Sequence, residues 1–462
     1  MGTQGSKASL VTSSLRRNAA LGRLMVSSGR RMALLKARRS FASANKKAEL
    51  NSQAALKTAE DVTKTFGQMK GAMMKLGQMA SYLDSGLPEN ARNSLATLQA
   101  DAPPMAPELA EAQIEAELGA KPQDIFAEWN PIPIAAASIG QVHSAVTRDG
   151  HAVAVKVQYP EIGSAVASDL KKANWMFNML GALYPGVDPE PIVNEIRDRL
   201  EEELDYEAEA ENQRFFGNYF EGHPFINVPR VFDELSTKRI ITSELVVGSK
   251  FSEVLSWSQK EKNDLAETIF RFSFGAIYQL NAFNGDPHPG NYIFHKGGKV
   301  TFLDYGLVKK FQDSEVDLFE VLINHMVLNP DKEKFRAAVD EAGILSEASR
   351  EFSTDHLNEY FRYFYEYVIE DRDLTIDESY SQQGVARLFD MKGEFGPLMK
   401  TLNVPPSMVI VQRITLGLMG IFGQLSARGN WQRISKELWP SVEQEPSTPM
   451  SQEIAKWAVA KL

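Results

Sequence analysis

Two periodicities alternate along this 462-residue chain. Val62, Phe66, Met69, Met73, Leu76, Ala80 and Leu83 recur at steps of four and three, the apolar seam of an amphipathic helix. Lys75 and Gln78, three apart, share a face of that helix. Gly67, Gly71 and Gly77 fall in the same run, each costing about 1 kcal/mol relative to alanine, which implies close approach to another surface. Past a Pro-rich linker at 101–107 the period drops to two. Residues 141–146 and 152–158 alternate around the turn Arg148-Asp149-Gly150, predicting a hairpin with Lys156 on its second strand. Residues 228–233 and 239–246 read as another strand pair, and 292–295 with 300–304 as a hairpin about the turn 296–299. Beyond Gly306 the pattern is mainly helical. The apolar run 408–425 is interrupted by Gln412 and Arg413 and ends near Gln424, which favours a buried helix over a membrane span. The aromatic run 360–367 reads as core, and the stretch after Trp439 as a loose tail ending in a short amphipathic helix.

The chemistry concentrates where the third hairpin begins. Asn284-Gly-Asp286-Pro-His288-Pro-Gly-Asn291 is followed, thirteen residues after Asn291, by Asp304-Tyr305-Gly306. That is the spacing of a kinase catalytic loop and its metal-binding Asp-Phe-Gly, in which the first Asp handles the acceptor while the Asn and the second Asp hold metal. Magnesium is a hard cation that takes oxygen ligands and borrows others from phosphates, so Asn291 and Asp304 suffice as protein donors. The hairpin between them would carry both to one end. Read alone, the same loop is also ordinary Asp, Pro, Gly and Asn turn chemistry. His288, between two prolines, reads as structural or positioning.

Upstream residues add to the pattern. Ala135-Ala136-Ala137-Ser138-Ile-Gly140-Gln-Val142 overlays the Gly-rich phosphate loop with alanines at the first two glycine positions, and sixteen residues after Gly140 comes Val153-Ala-Val-Lys156, matching the lysine strand. Alanine methyls occupy space and disfavour positive φ, so this loop is expected to hold phosphates less closely and to tune nucleotide preference. Glu244 ends the strand that would present backbone groups to adenine. No Walker loop and no complete dinucleotide fingerprint competes.

These segments, together with Lys75-Leu-Gly77-Gln78, Glu203-Leu-Asp205-Tyr, Glu209 and Asn212, resemble the UbiB-type (AarF-domain) atypical kinase-like family over about residues 55 to 310. The resemblance implies an α+β, bilobal atypical protein-kinase-like fold with an N-terminal helical K-x-G-Q extension and a mainly helical C-lobe. It implies that Glu209 pairs with Lys156, and that Lys75 and Gln78 pack over the peptide-substrate site against Glu203 and Asp205, which disfavours protein phosphorylation. It implies ATP and Mg2+ as cofactors, ATPase or small-molecule phosphotransferase activity, and a link to ubiquinone and other isoprenoid-lipid pathways. The partners implied are nucleotide, an isoprenoid-lipid or quinone-precursor ligand and biosynthetic-complex proteins. Asn284-Gly285 in place of His-Arg and Tyr305 in place of Phe depart from ordinary kinases; the second keeps an aromatic.

Charge and composition set the remaining bounds. Residues 1 to 48 hold four Lys and seven Arg and no acid, so this arm carries +11 and the remainder −21 against a whole-chain −10. Arg16, Arg23 and Arg30 recur every seven residues beside Leu21, Leu24 and Met25, which suits an anionic membrane surface first; an Arg- and Ser-rich, acid-free arm also resembles an organellar transit peptide, and a solvated tail is the remaining alternative. Met1-Gly2-Thr-Gln-Gly-Ser6 also fits the myristoylation pattern. An acidic body gives no support to nucleic-acid binding. Zero cysteines exclude disulfides and thiolate metal sites, and seven scattered histidines form no zinc pattern.

The expected division is a basic arm 1–48, a helical extension and linker 49–120, an N-lobe 121–247, a C-lobe 248–440 and a tail 441–462. The expected function is Mg-ATP hydrolysis or phosphoryl transfer in isoprenoid-quinone or related lipid metabolism. Lys156 and Glu209 would orient phosphates, and Asp286 would position or deprotonate the acceptor. The rival is a nucleotide-gated binding or chaperone module. The expected location is cytoplasmic and peripheral to a membrane, or mitochondrial or plastid in a eukaryote.

Overall fold

The computed structural model describes residues 105–137, 139–160, 162–163, 202–285, 287–390 and 393–461. The helical seam at 62–83, with Lys75 and Gln78, and also Ser138 and Asp286 lie outside the described residues. Two units share what is described: one takes in 105–122, 130–143, 156–163 where described and 202–204, the other 123–129, 144–155 and 205–461.

In the first unit, helix α1 (Pro107–Leu118) starts at a proline, whose missing N–H is no loss in a first turn, and ends at Gly119 with φ 80°. A polar pin joins the segment before it to the sheet. The Met105 N–H donates to Gln141 Oε1 at 2.8 Å, and Gln141 Nε2 lies 2.8 Å from His143 Nε2. His143 Nδ1 lies 2.9 Å from the carbonyl of Asn130, which only accepts, so Nδ1 carries the proton and Nε2 accepts from Gln141. Both side chains are fully buried, and burial lowers the His143 pKa below its ordinary value.

The sheet runs β1 (Glu128–Trp129), β3 (Gly140–Val146), β4 (Ala152–Gln158), β6 (Ile240–Glu244) in that order, with β2 (Ala135–Ala136) also on β3. The period of two seen in the sequence is the burial pattern: Val153, Val155 and Val157 are all fully buried. The first strand expected at 228–233 does not form. Its backbone makes one bridge, Val231 to Ser243, before a 3₁₀ turn at Asp233–Leu235, and Pro229 has no N–H to give a ladder. The strand there is instead β5 (Ile226–Asn227), parallel to β9 (Val300–Phe302).

The second unit is built on two helices. Asp205 caps α2 (Tyr206–Tyr219), accepting from the N–H groups of Glu207 and Ala208 at 3.2 Å. Ser258 and Glu261 form a capping box at the start of α3 (Gln259–Leu280), which ends at Asn281 in the left-handed region, φ 48°. That turn feeds the chain into β7 (Ala282–Asn284). Phe216 of α2 packs on Phe272 of α3 at 5.5 Å between ring centroids, and Phe272 stacks on Phe302 of β9 at 3.6 Å. Each fully buried ring contributes about 1.5–3 kcal/mol by removal from water, so this column fixes α2, α3 and β9 together.

The rest is mainly helical, as expected: α4 (Asp313–Ile323), α5 (Lys332–Glu341), α6 (Thr354–Ile369), α7 (Glu378–Phe389) and α8 (Pro406–Leu425), with one short antiparallel pair, Leu374–Ile376 against Ala427–Gly429. Helix α8 is long and apolar enough to cross a membrane by length and composition, and about half of its span is buried here against neighbours that include α3 and α7. The tail is not loose. Helix α9 (Pro449–Lys461) docks, with Trp457 Nε1 donating to the Glu221 carbonyl at 3.0 Å, Lys461 Nζ bonded to the Tyr219 carbonyl and Met450 buried. Its apolar side chains found partners near α2 that local composition did not reveal.

Candidate functional site

The third hairpin forms as expected, β8 (Tyr292–Phe294) against β9 with Tyr292 opposite Phe302. Asn291 precedes β8 and Asp304 follows β9 by two residues, so both lie at one end of the hairpin. The Leu303 N–H donates to the Asn291 carbonyl at 2.9 Å, extending the pairing to the residue before Asp304. His288 acts as a cap: its Nδ1 accepts from the Gly290 N–H at 3.1 Å, and it holds the single 3₁₀ turn Pro289–Asn291 that presents Asn291.

The residues standing in place of His-Arg tie the catalytic loop to the Asp304 turn. Asn284 Nδ2 donates to the Asp304 carbonyl at 2.8 Å, and the Gly285 N–H to the Leu307 carbonyl at 2.5 Å. Strand β7 pairs antiparallel with β10 (Val308–Lys310), Asn284 opposite Val308. A Cβ at position 285 would sit 2.9 Å from the Leu307 oxygen, so glycine is required by close approach. Asp286 itself is not described, but the residue before it is fixed beside the Asp304-Tyr305-Gly306 turn.

Helix α2 supplies the other side. Glu209 is 3% exposed, and a Cβ built on Gly306 would lie 3.3 Å from Asp304 Oδ1 and 3.7 Å from Glu209 Oε2. Asp304 Oδ1 accepts the Gly306 N–H at 2.9 Å. Three residues on from Glu209, Asn212 Nδ2 donates to the Tyr305 carbonyl at 3.1 Å. Tyr305 is fully buried against Phe216 at 5.3 Å, and burial drives its phenol far above the ordinary pKa, so it is a neutral packing group. Glu209, Asn212 and Phe216 thus share the face of α2 that meets the 304–306 turn.

In the first unit, β2 and β3 make a tight hairpin, Ala135 opposite Val142 and Ala136 opposite Gln141, closed by the Ala137 N–H on the Gly140 carbonyl at 2.9 Å. Ala135 and Ala136 are exposed strand residues, and Gly140 is a buried strand residue outside the positive-φ set. The expectation that alanine disfavours a positive φ here therefore finds no application from Ala135 to Ala137, none of which has a positive φ; what the methyls change is space. The Ala137 N–H is spent inside the hairpin. Lys156 lies on β4 and is half-buried; Glu203 is nearly buried, and Gln158 Nε2 donates to the Leu204 carbonyl at 2.8 Å beside it. Asp205 is the cap of α2, with Lys238 at 3.7 Å, so it has a structural duty whatever else it contacts. Glu244 is exposed, and its N–H donates to the Arg230 carbonyl at 2.9 Å, which leaves that donor unavailable to a base.

Sequence reasoning gave no role to Gln141, His143, Asn212 or Asn284. The first two look like solvent-facing positions of an alternating strand, on the parity opposite Val142 and Val146, and their burial shows only once Met105 and Asn130 are in place.

Residues 97–339 match the ABC1 atypical kinase-like domain. The chain is 26% identical over 388 residues to the atypical kinase COQ8, mitochondrial, of Saccharomyces cerevisiae, covering 82% of this chain and 75% of that one. It is 32% identical to a chloroplastic aarF domain-containing protein kinase of Arabidopsis thaliana over 58% of this chain, but spans only 38% of that relative's length. The solved complex of Rv3197 with erythromycin, from Mycobacterium tuberculosis, superimposes with a TM-score of 0.62 at 27% identity, covering 86% of this chain and all of that one. The catalytic-loop and Asp304 spacing, carried on a mixed sheet and helical fold, is accounted for by these matches: the chain has the α+β atypical kinase-like fold and belongs to the ABC1 atypical kinase-like family.

Proposed function

We propose that the protein is a Mg-ATP-dependent ATPase or small-molecule phosphotransferase serving isoprenoid-quinone or related lipid metabolism. The observation that carries this reading is the joining of Asn291, Asp304 and Glu209 about one turn, with Gly285 fixed beside it. An amide oxygen and a carboxylate at one hairpin end are hard donors, the set that suits magnesium. Asn291 and Asp304 would hold the ion, which when bound neutralises charge on the phosphates. Lys156 would orient phosphates, with Glu209 fixing the lysine. The small-residue hairpin Ala135 to Gly140, with Ser138 and Val142, would cover them, and the strand end at Glu244 would face adenine. Asp286 would accept or steer the proton of the acceptor hydroxyl or water. Lys75, Gln78, Glu203 and Asp205 would restrict access by peptides. In this reading 121–247 forms the N-lobe and 248–440 the C-lobe. The mitochondrial and chloroplastic compartments of the yeast and Arabidopsis relatives favour an organellar location over a cytoplasmic one, with the basic arm as targeting or membrane-surface segment.

The test is phosphate release from Mg-ATP by purified protein, with and without anionic liposomes, beside Asp304→Asn and Lys156→Ala. Release that disappears in both variants and rises with liposomes supports the reading. Nucleotide binding without release overturns it in favour of a nucleotide-gated binding module.

A further inference from the structure

The helical part of the second unit holds a cavity that the nucleotide reading does not use. It measures about 200 Å³ and lies among α3, α6, α7 and α8. Phe270, Phe274 and Phe364 are among its lining, with Tyr363 and Arg387, both exposed. Arg387 pairs with Glu366 at 3.1 Å and lies over the Tyr363 ring at 5.1 Å, so its charge is already compensated. An apolar void of roughly 150 Å³ stays dry and admits benzene; this one has room for one substituted ring.

What sets it apart from a packing defect is its polar lining. Tyr365 and Tyr367 line the cavity and keep accessible surface, yet burial pushes both phenols well above their ordinary pKa. The two observations agree if the surface they keep faces the cavity and not bulk water. Both are then neutral O–H donors, and neither hydroxyl has a hydrogen-bond partner among the described residues. Tyr278 also lines the cavity, and burial raises its phenol far above the ordinary pKa. O–H donors without acceptors in an aromatic-lined cavity offer a place for one. Flat aromatic walls favour a ring over an aliphatic chain.

We infer that this cavity binds a small, uncharged aromatic compound bearing a carbonyl oxygen, which accepts from Tyr365 or Tyr367. The site stands apart from the nucleotide reading and does not depend on it. Gly384 of α7 also lines it, and a Cβ there meets nothing within 4 Å, so a larger side chain has room to occupy the cavity.

The experiment titrates acetophenone and its hydrocarbon isostere α-methylstyrene into the full chain, with saturation-transfer NMR as the readout. Acetophenone is expected to bind saturably and roughly three- to tenfold more tightly than the isostere, the worth of one hydrogen bond. Combining Tyr365→Phe with Tyr367→Phe, which keeps the ring lining, should bring the two affinities together. Gly384→Leu should abolish binding of both compounds while leaving the melting temperature unchanged or higher, since glycine is the poorer helix former. Absence of saturable binding to the unmodified chain, equal affinity of ketone and hydrocarbon, or undiminished binding to a folded Gly384→Leu variant overturns the proposal.

Discussion

Asn212 of α2 donates its side-chain N–H to the carbonyl of Tyr305, so the helix that carries Glu209 is fastened to the turn that carries Asp304. The bond fixes the two acids through backbone and helix, independently of any ligand between them. Replacing Asn212 by Leu keeps approximate volume and leaves the half-buried carbonyl without this donor. A loss of about 1–3 kcal/mol in urea unfolding is expected, with a larger proportional fall in phosphate release than in stability. Unfolding curves and release rates on the same samples decide it; unchanged release at reduced stability would make Asn212 a packing residue only.

Gly285 gives a second prediction, from steric contact. Its missing side chain lets β7 approach the Leu307 carbonyl, where a Cβ would stand at 2.9 Å from a backbone oxygen that has little freedom to retreat. Gly285→Ala should cost about 1–3 kcal/mol, the range for overpacking, and shift the β7 and β10 amides in an NMR spectrum. A variant as stable as the parent, with those amides unmoved, would show the turn to be more compliant than its contacts imply.

Much of the site was legible in the sequence because its chemistry is local. Asn291, Asp304 and the hairpin joining them lie within fourteen residues, and turn composition with β-branched alternation predicts that hairpin directly. What was not legible depends on partners far along the chain. Pro229 hides the fact that the 226–227 segment pairs with β9, some seventy residues away, and the tail reads as loose because its partners at 219–221 lie more than two hundred residues upstream. The buried pair Gln141 and His143 illustrates the same limit: polar residues read as exposed until their partners, Met105 and Asn130, are seen.

The aromatic column supports a third prediction. Phe216 is fully buried and touches both Phe272 and Tyr305, so truncation removes packing from α2, α3 and the 304–306 turn together. Phe216→Ala should destabilise by about 3–5 kcal/mol, whereas Phe215→Ala, one position earlier and more than a third exposed, should change stability by about 0.5 kcal/mol or less. Similar losses at both positions would contradict the assigned helix face.

The tail contact gives a pH dependence whose sign follows from His223. Its Nδ1 accepts from the N–H groups of Phe225 and Ile226 at 3.2 and 2.9 Å, and its ring lies 4.6 Å from Trp457 of α9. Burial, then the charges of Arg271 and Lys461, lower its pKa to about 3 from an ordinary 6.5. Between those values the unfolded chain binds the proton and the folded one does not, so the contribution is complete above about pH 6.5 and is lost progressively as pH falls toward 3. The slope expected from this one group is at most about 1.4 kcal/mol per pH unit. In His223→Asn the amide oxygen takes over as acceptor and does not titrate, so stability between pH 6 and 4 should fall less steeply than in the parent, other carboxylates contributing equally to both. Urea unfolding of the two proteins across that range measures the difference directly. Parallel curves would mean that His223 takes up its proton in the folded protein and that the junction of α9 with the 221–226 turn opens to let it.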